Sequence, residues 1–275
     1  MGLSPHLHLG TSSWTAKGWL GTFYPSGTKP TDFITEYAKH YDTVEIDATF
    51  YATPQESTVL GWKDKTPEGF LFAAKAPKAI THDKFLEDCT HELNGFLRAM
   101  SLLGEKLGPL LFQFPYYAKR TGVTEDDFLL RLTRFLKELP ADQYRFAVEV
   151  RNKNWINPYL FEILHDHNVA LCLIDHPWMA PPKVLFNHKE ILTNQFMYIR
   201  WLGDRKGIEQ VTKVWNESVV DREADLGRWT PHIKSLLDRQ MDVFGYVNNH
   251  YGGYAPDNVD QLKKMLSEKD GISAG

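Results

Sequence analysis

Residues 145–151, Arg-Phe-Ala-Val-Glu-Val-Arg, alternate strictly: Phe146, Val148 and Val150 form one set, and Arg145, Ala147, Glu149 and Arg151 the other. Period-two alternation predicts a β-strand, because successive side chains leave a strand on opposite faces. The stretch sits in a chain of strand-like and helix-like segments that alternate from end to end. Parallel strands joined by helices turn their apolar face toward those helices. The charged set of 145–151 is then expected to face the inside of a closed sheet.

Working outward, strands are predicted over 7–13, 43–47, 70–76 and 110–114 on one side, and over 169–174, 196–202 and 242–248 on the other. A helix over 31–41 places Phe33, Ile34, Tyr37, Ala38 and Tyr41 on one face. Thr53, Pro54 and Glu56 read as a capping-box start of a helix running to about Lys65. A long helix carries Cys89, Leu93, Phe96, Leu97, Met100, Leu103 and Leu107, with Gly108 and Pro109 as its stop. Thr124 caps a helix that Pro140 ends, Asn157 and Pro158 start another, and Pro256 starts the last; the helix after the sixth strand has the weakest pattern. Eight strands and about eight helices predict a (β/α)8 TIM-type barrel in one domain spanning 1–275, in preference to an open doubly wound sheet.

Composition bounds the function. With 275 residues, 43% hydrophobic and 24% charged, the chain has the make-up of an ordinary globular protein. A net charge of -4 provides no global basic field, so nucleic acid is not an expected partner. Cys89 and Cys172 lie in apolar segments and read as reduced, buried thiols. The first residues lack a signal pattern, and no apolar run approaches the roughly twenty residues of a membrane span, so a cytoplasmic protein with no membrane partner is expected.

The parity of 145–151 recurs. Glu45 and Asp47 oppose Val44 and Ile46, while Tyr198 and Arg200 oppose Met197 and Ile199. Lys75, Gln113, Asp175 and one or both of Asn248 and Asn249 are likewise expected at the interior or its rim. These residues come late in their strands, at the barrel end where active sites form. A buried ring of charge persists where it pairs internally, stays hydrated or holds a ligand.

Several strand ends also carry longer motifs: Gly10-Thr-Ser-Ser-Trp14, Val44-Glu-Ile-Asp-Ala-Thr-Phe-Tyr51, KAPKAITH from Lys75 to His82, Leu111-Phe-Gln-Phe-Pro115, Val148-Glu-Val-Arg151 with Trp155, and Asn248-Asn249 with Gly253. Together, in order along nearly the whole chain, they resemble the YecE-like family, catalogued as domain of unknown function 72. The resemblance implies a TIM-type barrel and carries no settled reaction. Where family members often show Arg-x-His-Gly after the seventh strand, this chain has Arg200-Trp-Leu-Gly203, so no histidine role transfers there.

Three chemistries fit the residues. The first is an isomerase, lyase or hydrolase using acid/base or electrostatic catalysis on a small anionic, phosphorylated sugar-like substrate. Glu149 would be the acid/base group, Lys75 and Arg151 its electrostatic partners and Glu45 an orienter. Arg200, Asn248, Asn249, Gln113, Tyr51, Trp14, Trp155 and Gly253 would make ligand contacts. Gly252 and Gly253, with Gly203 to Gly207, would supply a phosphate cradle. The second is a divalent-metal hydrolase, isomerase or nuclease with Glu45, Glu149, Asp175 and His82 as ligands to manganese, magnesium or zinc. The third is a binding module for small ligands or nucleic acid, with Trp14, Phe50, Tyr51, Phe114, Trp155 and Tyr251 as a stacking mouth. HExxH, paired-cysteine, Walker, GxGxxG and GxSxG patterns are absent, and the sequence itself requires no cofactor.

Overall fold

A computed structural model describes residues 3–268 of the chain. Its strands are β1 (Leu7–Thr11), β2 (Thr43–Ile46), β3 (Leu71–Lys75), β4 (Leu107–Gln113), β5 (Phe146–Glu149), β6 (Ala170–Asp175), β7 (Phe196–Trp201) and β8 (Asp242–Val247). All pair in parallel, in the order β1-β8-β7-β6-β5-β4-β3-β2. The α-helices are α1 (Phe33–Tyr37), α2 (Glu56–Asp64), α3 (Thr90–Ser101), α4 (Glu125–Lys137), α5 (Pro158–Asp166), α6 (Pro182–Leu185), α7 (Arg205–Val211), α8 (Glu223–Asp238) and α9 (Ala255–Ser267). The expected eight-stranded barrel is therefore present, and among the described residues no helix is long and apolar enough to cross a membrane.

The ring closes where β1 packs against β2 without a ladder. Two local features span this seam. A Cβ on Gly10 would stand 2.1 Å from the Thr43 carbonyl oxygen, so only glycine allows the approach. The buried hydroxyl of Tyr37, from α1, accepts the Thr11 N–H at 2.9 Å and donates to the Thr43 carbonyl at 3.2 Å. One side chain thus satisfies a backbone donor of one edge and an acceptor of the other, the groups a missing ladder would leave unpaired.

Parity sorts the core into two layers. Val44, Ile46, Phe146, Val148, Met197 and Ile199 belong to the layer between strands and helices. Ala73, Leu111, Ala147, Cys172, Tyr198 and Tyr246 form a separate cluster inside the barrel. Both cysteines are free and buried, as expected. Thr124 and Asn157 also cap as expected: Thr124 accepts the Asp127 N–H within a capping box, and Asn157 accepts from Tyr159 and Leu160.

The expected 31–41 helix is shorter, Phe33–Tyr37, and the strands read over 7–13 and 145–151 are trimmed to Leu7–Thr11 and Phe146–Glu149. Two further boundaries differ for a local physical reason. The helix starts at Glu56, with no side-chain cap from Thr53, because a residue before proline favours extended backbone and Thr53-Pro54 stay in the approach. The long helix ends at Ser101, and Gly108 and Pro109 lie inside β4. There β3 pairs Phe72 with Leu107 and Ala74 with Leu110, so two residues of β4 oppose Ala73. That bulge is a place where a strand tolerates a proline with no N–H to donate.

The seam makes a direct prediction. Replacing Tyr37→Phe leaves the Thr11 N–H and Thr43 carbonyl short of a partner and should cost about 1–3 kcal/mol in urea unfolding. Gly10→Ala should cost more, since the clash is with backbone. Unchanged midpoints in both variants would show that closure does not depend on these contacts.

Candidate functional site

Inside the barrel, a continuous chain of charge-assisted hydrogen bonds links β7, β2 and β5. The Tyr198 hydroxyl donates to Glu45 Oε2 at 2.6 Å. Arg200 Nη2 donates to Glu45 Oε1 at 2.7 Å, and Nη1 to Glu149 Oε2 at 2.6 Å. Arg151 Nε then donates to Glu149 Oε1 at 2.9 Å. All four oxygens of the two glutamates are engaged, and Glu45, Glu149 and Arg200 are at most 2% exposed.

Electrostatics follow from that geometry. Burial alone would raise the Glu149 pKa, but Arg200 and Arg151, with Lys75 behind them, outweigh it and hold the carboxyl at about 2. Burial opposes the charge on Arg200, and Glu45, Glu149 and Asp47 overcome it, pushing its pKa well above the ordinary value. Lys75 is lowered, chiefly by burial; Asp47 opposes the shift and Arg200 adds to it. Its Nζ lies 3.3 Å from Asp47 Oδ1 and 3.8 Å from the centre of the Phe50 ring. The Asp47 oxygen is buried without an aligned hydrogen bond, as is Arg200 Nε.

The chain ends at a cavity of about 210 Å³ bordered by His82, Gln113, Tyr116, Arg151, His176 and Trp178. Gln113 pairs with Glu149 across β4 and β5, and its amide donates to the Phe114 carbonyl. His82 sits on one turn of π-helix, Ala79–Asp83, a distortion often found at functional sites. Its Nδ1 lies 2.8 Å from the Thr81 hydroxyl. Burial, reinforced by Lys75 and Arg151, lowers its pKa to about 4. His176 Nδ1 accepts the Trp178 N–H at 3.2 Å, which puts the proton of the neutral ring on Nε2. Burial and Arg151 lower its pKa as well.

Other expected members fall elsewhere. Asp175 shares the outer face with Leu171 and Leu173, and its Oδ2 accepts from Trp229 Nε1 at 2.6 Å and from the Tyr251 hydroxyl at 3.2 Å. The set Glu45, Glu149, Asp175 and His82 is therefore not assembled. Among the described residues no group of three or more His, Cys, Asp or Glu is placed to hold a metal. Trp14 packs edge-on to Trp62 and Phe72 in the outer layer, Phe114 packs on Phe128, and Tyr251 holds Asp175. Tyr51 is exposed at the rim beside Phe50, and Trp155 borders a neighbouring groove.

The expected glycine cradle is occupied by the chain itself. A Cβ at Gly253, where φ is +105°, would stand 2.8 Å from Val219, and the Gly252 carbonyl accepts the Val219 N–H at 2.8 Å. A Cβ at Gly203 would meet the His250 carbonyl oxygen at 2.4 Å. Asn249 Oδ1 accepts the N–H of Ala255 at the start of α9, and Asn248 Oδ1 accepts that of His250, both at 3.0 Å. These residues meet structural demands of tight backbone packing.

His176, Tyr116 and Trp178 were missed by the sequence reading. Counting the inner face of β6 from Cys172 through Ile174 reaches His176, which was a readable signal. Tyr116 and Trp178 lie beyond strand ends, where no period applies.

A family model described as Protein of unknown function DUF72 matches residues 8–274. The chain is 27% identical over 282 residues to the UPF0759 protein YunF of Bacillus subtilis (strain 168), covering 94% of each. It is 32% identical over 146 residues to the UPF0759 protein YecE of Escherichia coli (strain K12), covering 53% of this chain and 48% of that one. The crystal structure of a DUF72 family protein (TM1631) from Thermotoga maritima MSB8 superposes with a TM-score of 0.75 at 26% identity, covering 95% of this chain and 99% of that one. The match over nearly the full sequence and the shared barrel agree with the motif resemblance, and the chain belongs to the DUF72 family.

Proposed function

We propose that the barrel mouth binds a small anionic, hydroxyl-bearing substrate on the guanidinium of Arg151, and that His82 transfers a proton on it. The observation that carries this reading is how Arg151 is divided. Its Nε is committed to Glu149, while its terminal amino groups make no hydrogen bond or ion pair among the described residues. The side chain is 39% exposed and borders the cavity. A planar guanidinium held by one edge offers its others to carboxylate or phosphate.

The buried chain supports that role. Tyr198, Glu45 and Arg200 hold Glu149, and Glu149 holds Arg151, so the anion grip needs little reorganisation on binding. Glu149 is then a positioning residue, not the acid/base group its place in the strand suggested. A carboxyl held at about 2 has no proton to give near neutral pH and little affinity for one. His82 is neutral there, chiefly through burial, and a bound anion would offset the further lowering that comes from repulsion by Lys75 and Arg151. Its proton affinity would therefore rise as substrate arrives. Lys75 adds positive potential, and the Nε2–H of His176 is a second donor. Such a set suits an isomerase or lyase acting beside a carbonyl.

Binding is tested by thermal shift with inorganic phosphate, glycerol 3-phosphate and gluconate. At a hundredfold excess over Kd, stabilisation should be about 2.7 kcal/mol, or roughly 5 °C in Tm. Arg151→Ala should abolish it. Shifts that survive in Arg151→Ala, or no shift with any anion, would refute the grip. Proton transfer is read by NMR as His82-dependent entry of deuterium from D2O into a bound ligand; binding without exchange would leave a binding module.

The positioning role of Glu149 gives a stability test. Its folded value near 2 lies below the usual 4.5, so its contribution is whole above pH 4.5 and fades as pH falls toward 2. Glu149→Gln strands buried positive charge and should cost about 3–5 kcal/mol at pH 7 in urea unfolding. It should also remove that part of the acid-dependent loss. Glu149→Gln combined with Arg200→Met should recover part of the deficit; a double variant as unstable as the sum of the singles would refute the coupling.

A further inference from the structure

Resting on the anionic-head reading above, we infer that the ligand is two-part: an anionic group on Arg151 joined to a planar aromatic or heteroaromatic ring that lies against Tyr116 and Trp178. The first argument is one of size. The mouth cavity holds about 210 Å³, below the roughly 300–1,000 Å³ of typical ligand sites. An adjoining groove of about 800 Å³ supplies the remaining space, and Tyr116, Arg151 and Trp178 line both. A ligand whose head meets Arg151 in the cavity therefore has an open course into the groove past those two rings.

The second argument is exposure. All eight tryptophans lie among the described residues, and Trp178, at 71%, is the one mostly exposed. Tyr116 is 62% exposed. Both occupy the mouth, where their apolar faces are left uncovered at a cost in burial that a stacked ring would restore.

The third argument is rigidity. The Trp178 N–H is tied to His176, and the two rings meet edge to face at 5.1 Å. Beside Tyr116, the Tyr117 N–H and carbonyl are both held by the Asn152 side chain, at 2.8 and 2.9 Å. Trp155 stacks on Tyr117 at 5.6 Å beneath the groove. Aromatic faces on fixed backbone lose little entropy when a ring stacks on them. Lys119 and Lys153 line the same groove against the single carboxylate of Glu125, so with Arg151 its charged lining is net positive, which favours a ligand with an anionic head.

Calorimetric titration of the full chain with methyl phosphate and phenyl phosphate separates head from tail. Phenyl phosphate is expected to bind at least about tenfold tighter, the scale of one good stacking contact. In the double variant Tyr116→Ala, Trp178→Ala, both surface substitutions, the ratio of the two constants should fall to near one. In Arg151→Ala both ligands should lose affinity together. Equal constants in the native chain, or a ratio that persists in the double variant, would overturn the two-part ligand while leaving the anion grip standing. Failure of both phosphates to bind would remove the grip and this inference with it.

Discussion

Arg200 sits at the centre of the barrel with its guanidinium between two buried carboxylates, and most of the mouth's geometry depends on that contact. Moving one such ion out of water costs several kcal/mol, and the attraction of a single partner does not return it. Here both partners are hydrogen-bonded through both oxygens. The network is nearly saturated, the condition under which a buried polar group adds rigidity instead of instability. It also draws three strands that are not neighbours in the ring, β2, β5 and β7, into one unit.

From that unit the mouth divides into two sides. Around β7 and β8 the space is filled: Gly203, Gly252 and Gly253 permit backbone to press against backbone, and Asn248 and Asn249 satisfy the turns between β8 and α9. From β3 to β6 the mouth is open, with His82, Gln113, Arg151 and His176 around its cavity. The imidazoles there are kept neutral by burial and nearby positive charge, while the Glu149 carboxylate below them is kept ionised. All three groups are thus shifted toward their unprotonated forms, which leaves neutral rings at the cavity beside a fixed buried charge.

The fold was legible because strand alternation and helix spacing are local properties. Residues 145–151 declare which side chains face inward without reference to any other strand. Glu45, Glu149, Arg200, Lys75 and Gln113 were all read as interior or rim residues, and all are buried. The misreadings came where a local signal had two meanings. Gly108-Pro109 resembles a helix stop and is a bulge inside β4, and Asp175 attracted attention by its charge although its neighbours Leu171 and Leu173 already assigned it to the outer face.

By itself, then, the chain of residues determined the alternation, the count of eight strands and the set of charges that must turn inward, since each follows from the period of a single element. Tertiary structure alone decided which of those charges meet. Whether Glu149 gives up a proton or anchors an arginine depends on Arg200, 51 residues away in sequence and 2.6 Å away in space. Coulomb interactions and desolvation respond to distance and burial, neither of which exists until the strands close into a ring.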